Sequence, residues 1–232
     1  DYIHTCDLVD FSALRDKRCL ILGGRQSAFE WAALLSEAGA AAVHLSHRHP
    51  SPAFAEADWS WVNPIVDGMT QDPGWFRRLS AEDKEAVSHR LWAEGRLKVE
   101  PWLEPRLGEA VRLWPETRLV ACERTSHGAL SVELSSGETL EVDRIILATG
   151  YRVELAKLPL LKAGGLLERL EARNGFPVLG EDFQTNLPGL YMTSMAATQD
   201  FGPFFAFTIS ARASAAVISR SILQTEQGGS SA

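Results

Sequence analysis

The sequence predicts an α/β fold: a parallel sheet that carries a helical insertion and a small antiparallel meander, followed by part of a second domain. Three observations predict it. Leu20–Ala28 (L-I-L-G-G-R-Q-S-A) ends an apolar run in a tight glycine turn, a helical run follows, and Val43–Arg48 supplies a second strand. Strand, turn, helix and strand in that order form the first half of a dinucleotide-binding βαβ unit. Alternating apolar and polar residues between Arg118 and Val142 read as the meander. A late apolar run, Ile145–Tyr151 (I-I-L-A-T-G-Y), reads as a buried strand and is a second signal, one that suggests a different nucleotide domain once preceded this unit.

The elements follow in order. Lys17–Leu22 is the first strand. Gln26–Ala38 repeats apolar residues at helical spacing (Ala28, Trp31, Ala32, Leu35), and Gly39 ends it as a C-cap. Ala41–Ser46 is the next strand. From Pro50 to Arg106 the pattern turns Trp-rich, with Trp59, Trp61, Trp75, Trp92 and Trp102, and Ser80 is the N-cap of a charged helix. This segment is the helical insertion. Trp59 and Trp61, beside Asp58, are expected to bury it against the sheet; the alternative is an aromatic cage for a cationic group of a substrate. Arg118–Cys122, Leu130–Leu134 and Thr139–Val142 form the meander, with turns at His127-Gly128 and Ser136-Gly137. Arg144–Ala148 is a buried strand, a Leu-rich helical stretch follows, and Asn174-Gly175 signals a two-residue hairpin turn. Gly189–Ser194 reads as another buried strand, Phe204–Leu223 as the final helix, and 226–232 as a tail disordered by composition.

Composition narrows the partners. The 232 residues are 45% hydrophobic and 23% charged, enough for a real core in one or two domains. A net charge of -7, with no dense basic cluster, argues against nucleic acid and against an anionic membrane surface, and points to a small-molecule substrate. No apolar run approaches the roughly 18 residues of a membrane span, and the first residues lack a signal-peptide pattern, so the expected location is cytoplasmic. Cys6, Cys19 and Cys122 are scattered and form no C-x-x-C pair, which argues against thiol redox chemistry and a cysteine zinc site.

The glycine turn carries the chemistry. A pyrophosphate needs backbone N–H groups at a helix N-terminus and a backbone that approaches closely. Gly23 supplies the tight turn and Ala28 the close helix packing, with Gly24 between Gly23 and Arg25. The middle glycine position is Arg25, so either the closest approach is obstructed or the guanidinium itself touches phosphate. NAD-dependent enzymes place an acidic residue about 20 residues on, to hold the ribose hydroxyls. Here Ser46, His47 and Arg48 stand instead, and a hydroxyl, an imidazole and a guanidinium suit a 2′-phosphate, which favours NADP(H). The plainer alternative takes His44, His47 and His49 as surface loop residues. A metal site there is not expected, because no carboxylate or distant histidine completes it.

These residues resemble the class B flavin-dependent monooxygenases, which include flavin-containing, Baeyer-Villiger and N-hydroxylating monooxygenases. The resemblance runs from His4 to about Ile222. Gly23–Ala28 is similar to the family's G-x-G-x-S-(G/A) turn, and Ala148-Thr149-Gly150-Tyr151 to its A-T-G-Y segment. His4 resembles the histidine of its linker motif, with Leu8 where an aromatic residue should be. Pro188–Tyr191 and Asp200–Pro203 are similar to the last strand of the FAD domain and the turn into its final helix.

The resemblance implies a Rossmann-like NAD(P)-binding domain over 1–148, with the insertion at about 50–106, and the C-terminal portion of an FAD-binding domain over 149–225. It implies NADP(H) as cofactor, and FAD once the missing N-terminal half is supplied, since the family's FAD glycine turn does not occur in this sequence. Gln26 and Ser27 would hold the pyrophosphate, Ser46 and Arg48 the 2′-phosphate, and Thr149 and Gly150 the junction between domains. Gln199, Asp200 and the backbone from Phe201 to Phe204 would face the flavin. Against this, Thr149 can simply end a strand, Asp200 can cap the last helix, and Phe201, Phe204, Phe205 and Phe207 can be core. The expected function is that of an NADPH-dependent, monooxygenase-like flavoprotein oxidoreductase, here a trimmed piece without its FAD pyrophosphate site. A homodimer or a second chain carrying the missing half is a further expectation. The alternatives are a stand-alone NADP(H)-binding module or partner subunit without activity of its own, and an interaction domain in which Arg25 has ended nucleotide binding.

Overall fold

The computed structural model describes residues 2–7 and 9–229. The chain divides into two compact units, one of residues 1–57 and 93–150, the other of residues 58–92 and 151–232. Residues 58–92, from the middle of the expected insertion, therefore group with the C-terminal part of the chain.

The first unit contains β1 (Tyr2–His4), β2 (Arg18–Leu22), α1 (Gln26–Glu37), β3 (Ala42–Ser46), β4 (Ala53–Phe54), β5 (Lys98–Val99), β6 (Val111–Trp114), β7 (Leu119–Arg124), β8 (Leu130–Leu134), β9 (Thr139–Val142) and β10 (Arg144–Leu147). Its main sheet is five-stranded and parallel, in the order β1-β10-β2-β3-β6. Its central strands are apolar runs, as expected of a sheet covered on both faces. Ile21, Val43, Leu45 and Ile146 pack with Ala28, Phe29, Ala32 and Leu35 of α1, and Leu20 and Ile145 pack with Val132 and Leu134 of the meander. β7, β8 and β9 form the expected antiparallel sheet, while β4 and β5 make a short parallel pair. Arg18 ties the start of β2 to the meander's exit through Asp143 at 2.8 Å and Glu141 at 2.7 Å.

The second unit holds α2 (Val62–Gly68), α3 (Trp75–Arg78), α4 (Ala81–Arg96, to Trp92 in this unit), α5 (Pro159–Lys162), α6 (Leu166–Arg169), the hairpin β11 (Ala172–Arg173) and β12 (Phe176–Pro177), α7 (Thr198–Phe201) and α8 (Ala211–Gly229). Ser80 caps α4 as expected: its Oγ accepts the Asp83 N–H at 3.0 Å and donates to Asp83 Oδ2 at 2.7 Å. Asn174 and Gly175 turn the hairpin with φ of 55° and 82°, the left-handed pair such a turn requires. The core gathers Phe183, Phe201, Phe204 and Phe205 with Val62, Val66 and Met69.

Three expectations are corrected. Gly189–Ser194 is not a buried strand: Pro188-Gly189 folds the chain back on Phe183–Thr185, leaving a single bridge between Gln184 and Tyr191, and Ser194 enters a 3-10 turn. The final helix starts at Ala211, because Phe207 is extended (φ -127°, ψ 153°) between two 3-10 turns, while Phe204 and Phe205 are drawn into the core. α8 runs on through Gly229, so 226–229 is helical; the rest of the expected tail, 230–232, lies outside the described residues.

Candidate nucleotide-binding site

One row of paired residues crosses the parallel sheet at its C-terminal edge: His4, Leu147, Leu22, Ser46 and Trp114. Open parallel sheets bind ligands beyond this edge. The residues just past it, Ala148, Gly23 and His47, include two of the positions to which the sequence pointed.

Gly23 takes a φ of 144°, and a Cβ there would fall 2.3 Å from the Ala148 carbonyl oxygen. Glycine thus lets the end of β2 lie against the end of β10. Gly24 is closed in from another side, since a Cβ would meet His47 Cβ at 2.4 Å and His49 Cε1 at 2.9 Å. Arg25 is the residue before α1, half-buried, with extended backbone and no side-chain bond to the helix's N–H groups. Ala28 is buried against the sheet, as its place in the turn requires. The Gln26 side chain is held on both ends: its amide donates to Glu30 at 2.9 Å and its carbonyl accepts the Glu100 N–H at 3.1 Å. Ser27 is exposed on the first turn of α1.

The end of β3 is pinned. Ser46 is buried, and its hydroxyl lies 2.8 Å from Thr117 Oγ1, so it is turned into the protein rather than toward a ligand. The His47 N–H donates to the Trp114 carbonyl, and the Thr117 and Glu116 N–H groups donate to the carbonyls of His47 and His49. Thr117, which the sequence reading did not single out, thus organises this corner; its signal was the W-P-E-T turn after β6. His47 is buried rather than a loop residue at the surface, with Nδ1–H donating to the His49 carbonyl at 2.7 Å. Burial holds its pKa below the usual histidine range, and the charges of His49 and Arg25 act in the same direction. Its Nε2 is buried and finds no hydrogen-bond partner among the described residues. His44, half-buried on β3, accepts from Trp114 Nε1 at 3.2 Å, and burial lowers its pKa too. Arg48 is exposed. Among the described residues no group of three or more His, Cys, Asp and Glu side chains is placed to hold a metal ion.

Thr149 and Gly150 follow β10 and are exposed, Gly150 with a φ of 84°. His4 ends β1, and its Nδ1 accepts the Cys6 N–H at 3.2 Å; Leu8 lies outside the described residues.

Asp200 and Phe201 belong to the second unit. Asp200 lies within α7 and does not cap α8. Its buried carboxylate pairs with Arg77 and Arg173, each at 3.3 Å, and accepts the Leu179 N–H at 3.2 Å. Phe201 is fully buried and stacked on Phe183 with ring centroids 3.9 Å apart. Asn174 donates to Gln199 Oε1 at 3.2 Å, so the hairpin turn and α7 are linked twice. Trp59 packs on Phe207 and Trp61 on Phe204, which covers the phenylalanine core instead of the sheet; Arg90 lies over the Trp61 ring at 4.2 Å.

No protein-family model matches the chain, and no curated protein matches it. Solved structures do. L-lysine 6-monooxygenase from Pseudomonas syringae matches 94% of this chain at a TM-score of 0.60 and 20% identity. The ornithine N-hydroxylase KtzI of Kutzneria sp. 744, solved with reduced FAD, NADP+ and L-ornithine, matches 90% at 0.67 and 19%. The cadaverine monooxygenase DfoA of Erwinia amylovora, solved with FAD, matches 94% at 0.63 and 15%. The fold is theirs. The chain spans just over half the length of these structures, 57%, 54% and 54% respectively. The mixed α/β architecture expected from the sequence is therefore the one seen in the matching part of these three structures. Among the described residues, no helix is long and apolar enough to cross a membrane.

Proposed function

We propose that this chain is the NADP(H)-binding part of an FAD- and NADPH-dependent monooxygenase that hydroxylates a small molecule bearing a primary amine. In this reading residues 1–57 and 93–148 form the coenzyme domain, and 149–225, with the insertion residues 58–92 that group with them, the C-terminal portion of the FAD domain. One observation carries the proposal: the glycine turn and Arg48 share the C-terminal edge of a parallel sheet, in a chain with the fold of three such enzymes. The scattered free cysteines support a cytoplasmic location.

The first unit fits the coenzyme. Gly23 and Gly24 shape the turn, the N-terminus of α1 with Ser27 faces the pyrophosphate position, and Arg48 offers an unburied cation at the end of a strand with no carboxylate. The coenzyme, when bound, supplies a hydride. The protein's part is to bind and orient it. The Trp114–Thr117 segment fixes the corner that presents Arg48, and Thr149 and Gly150 cover the approach from β10. Gln26 acts through its backbone, since its side chain already braces α1 against Glu100. Ser46 acts through Thr117, keeping the end of β3 in place.

The side chains of Asp200 and Phe201 do not fit as contacts of a flavin, which leaves the expected approach of the backbone from Phe201 to Phe204 as it was. Both are buried and fully engaged with their own unit, and the 232 residues hold no G-x-G-x-x-G turn to cradle a flavin pyrophosphate.

The test is a titration of the purified chain with NADPH, followed by FAD loading, desalting, and NADPH-oxidation assays with lysine, ornithine and cadaverine. Saturable NADPH binding supports the coenzyme assignment, whereas amine-dependent oxidation by the flavin-loaded chain would mean that it builds a flavin site of its own and is more than the coenzyme-binding part. Binding of NADPH with no flavin retained and no turnover is the result expected of a coenzyme-binding part whose flavin cradle lies in other residues. No nucleotide binding at all overturns the reading.

A further inference from the structure

The sequence offers three polar groups at the end of β3, and the fold withdraws two. The Ser46 hydroxyl is turned to Thr117, and His47 is buried with its Nδ1–H on the His49 carbonyl. Arg48 alone is left on the surface, and one guanidinium is a thin basis for selecting a dianionic phosphate. The glycine turn supplies a second. Gly24 is packed directly on His47 and His49, so the turn lies against the corner that ends β3. The next residue is Arg25, at the position where a dinucleotide-binding turn has its second glycine. Its backbone is extended, its side chain does not cap α1, and it is half-buried beside that same corner. Its positive charge reaches His47. Neither Gly23–Ala28 nor Ser46–Pro50 contains a carboxylate to hold ribose hydroxyls.

We infer that Arg25 contacts the 2′-phosphate of the coenzyme and, together with Arg48, sets the preference for NADP(H) over NAD(H). The inference rests on the coenzyme reading proposed above. Two guanidinium forks from different segments enclose a phosphate better than one, because each presents paired N–H donors in a plane. Arg25 thus converts an obstruction at the pyrophosphate into recognition of a group that NAD(H) lacks. His47 is buried at this corner, and burial disfavours its charged form.

The experiment is isothermal titration calorimetry on the full chain with 2′,5′-ADP and with ADP, for wild type, Arg25→Ala, Arg25→Lys and Arg48→Ala. Thermal melts confirm folding of each variant. Arg25→Ala should weaken 2′,5′-ADP about 10- to 100-fold and change ADP less than about 3-fold, the pattern of a lost charge-assisted contact to the 2′-phosphate. Arg25→Lys should recover part of the loss. Equal weakening of both ligands by Arg25→Ala places the residue on the 5′ phosphates and overturns the inference, as does no change with either. Failure of the wild type to bind 2′,5′-ADP, ADP or NADPH brings down the coenzyme reading itself, a result distinct from either pattern above.

Discussion

Replacing Asp200 with asparagine tests whether this residue is a ligand contact or a structural post. The carboxylate is 5% exposed and faces Arg77, 30% exposed, and Arg173, 64% exposed. Asparagine has nearly the same shape and its amide oxygen can still accept the Leu179 N–H, so the variant removes the charge without opening a cavity. The amide nitrogen then points a donor at a guanidinium, and Arg77 keeps its charge in a half-buried place without its counterion. Removing one partner of a buried pair costs about 3–5 kcal/mol. Arg77 is partly open to water and also donates to the Leu179 carbonyl at 2.6 Å, which lowers the expectation to about 2–4 kcal/mol. Arg173→Ala, on the open side, should cost less than about 1 kcal/mol. Urea unfolding followed by tryptophan fluorescence suits the test, because Trp59, Trp61 and Trp75 pack on the same phenylalanine core. If Asp200→Asn stays within about 0.5 kcal/mol of wild type, or if Arg173→Ala costs as much as Asp200→Asn, the account of this carboxylate is wrong.

Ser46→Ala should lower stability by about 1 kcal/mol through the lost bond to Thr117, while the ratio of NADPH to NADH affinity stays put; a fall in that ratio would show the hydroxyl serving the phosphate after all. Arg48→Ala should weaken NADPH by about 1–3 kcal/mol and leave NADH nearly unchanged, read by the same titrations. In the folded chain, hydrogen bonding to Arg18 depresses the Asp143 pKa from 3.8 to about 2. The pair's stabilisation is therefore complete above the unfolded value and disappears as pH falls from about 4 to about 2, a loss of roughly 1 kcal/mol for a pair this open to solvent. Asp143→Asn should flatten that part of the melting-temperature profile, and an unchanged profile counts against it. Gly23→Ala should cost about 3 kcal/mol or more, from a positive φ and a backbone oxygen in the way, whereas Gly137→Ala, with a φ of 95° and open space around it, should cost about 1–2 kcal/mol. Equal losses would mean that the approach of Ala148 is unimportant.

Local signals carried much of the fold. The glycine turn, the serine cap before α4, the Asn-Gly hairpin and the alternation of the meander all depend on residues close in sequence, and each stands where its pattern pointed. β1 and β6 went unread because their identity lies in their partners: Tyr2–His4 and Val111–Trp114 become strands by pairing with β10 and β3. Gly189–Ser194 misled in the opposite way, since an apolar run beside Pro-Gly looks like a strand whether it joins a sheet or folds back on itself. At the candidate site the residue types were legible and their directions were not. Ser46 lies at the end of its strand as expected, but Thr117, far away in sequence, decides where its hydroxyl points. Asp200 was visible as a charge in an apolar stretch, and nothing local announced that Arg77 and Arg173 would enclose it.

The order of the main sheet bears on how the chain becomes itself. β10 lies between β1 and β2, yet it is the last of the five strands along the chain. Arg18 and its partner Asp143 are 125 residues apart. A growing polypeptide therefore carries β2, α1 and β3 for most of the first unit's synthesis with an inner strand position unfilled, and such long-range parallel pairing is slow to form. The glycine turn takes its shape at the end of that process, when Ala148 arrives beside Gly23. The closure of this turn therefore waits until the whole first unit has been made.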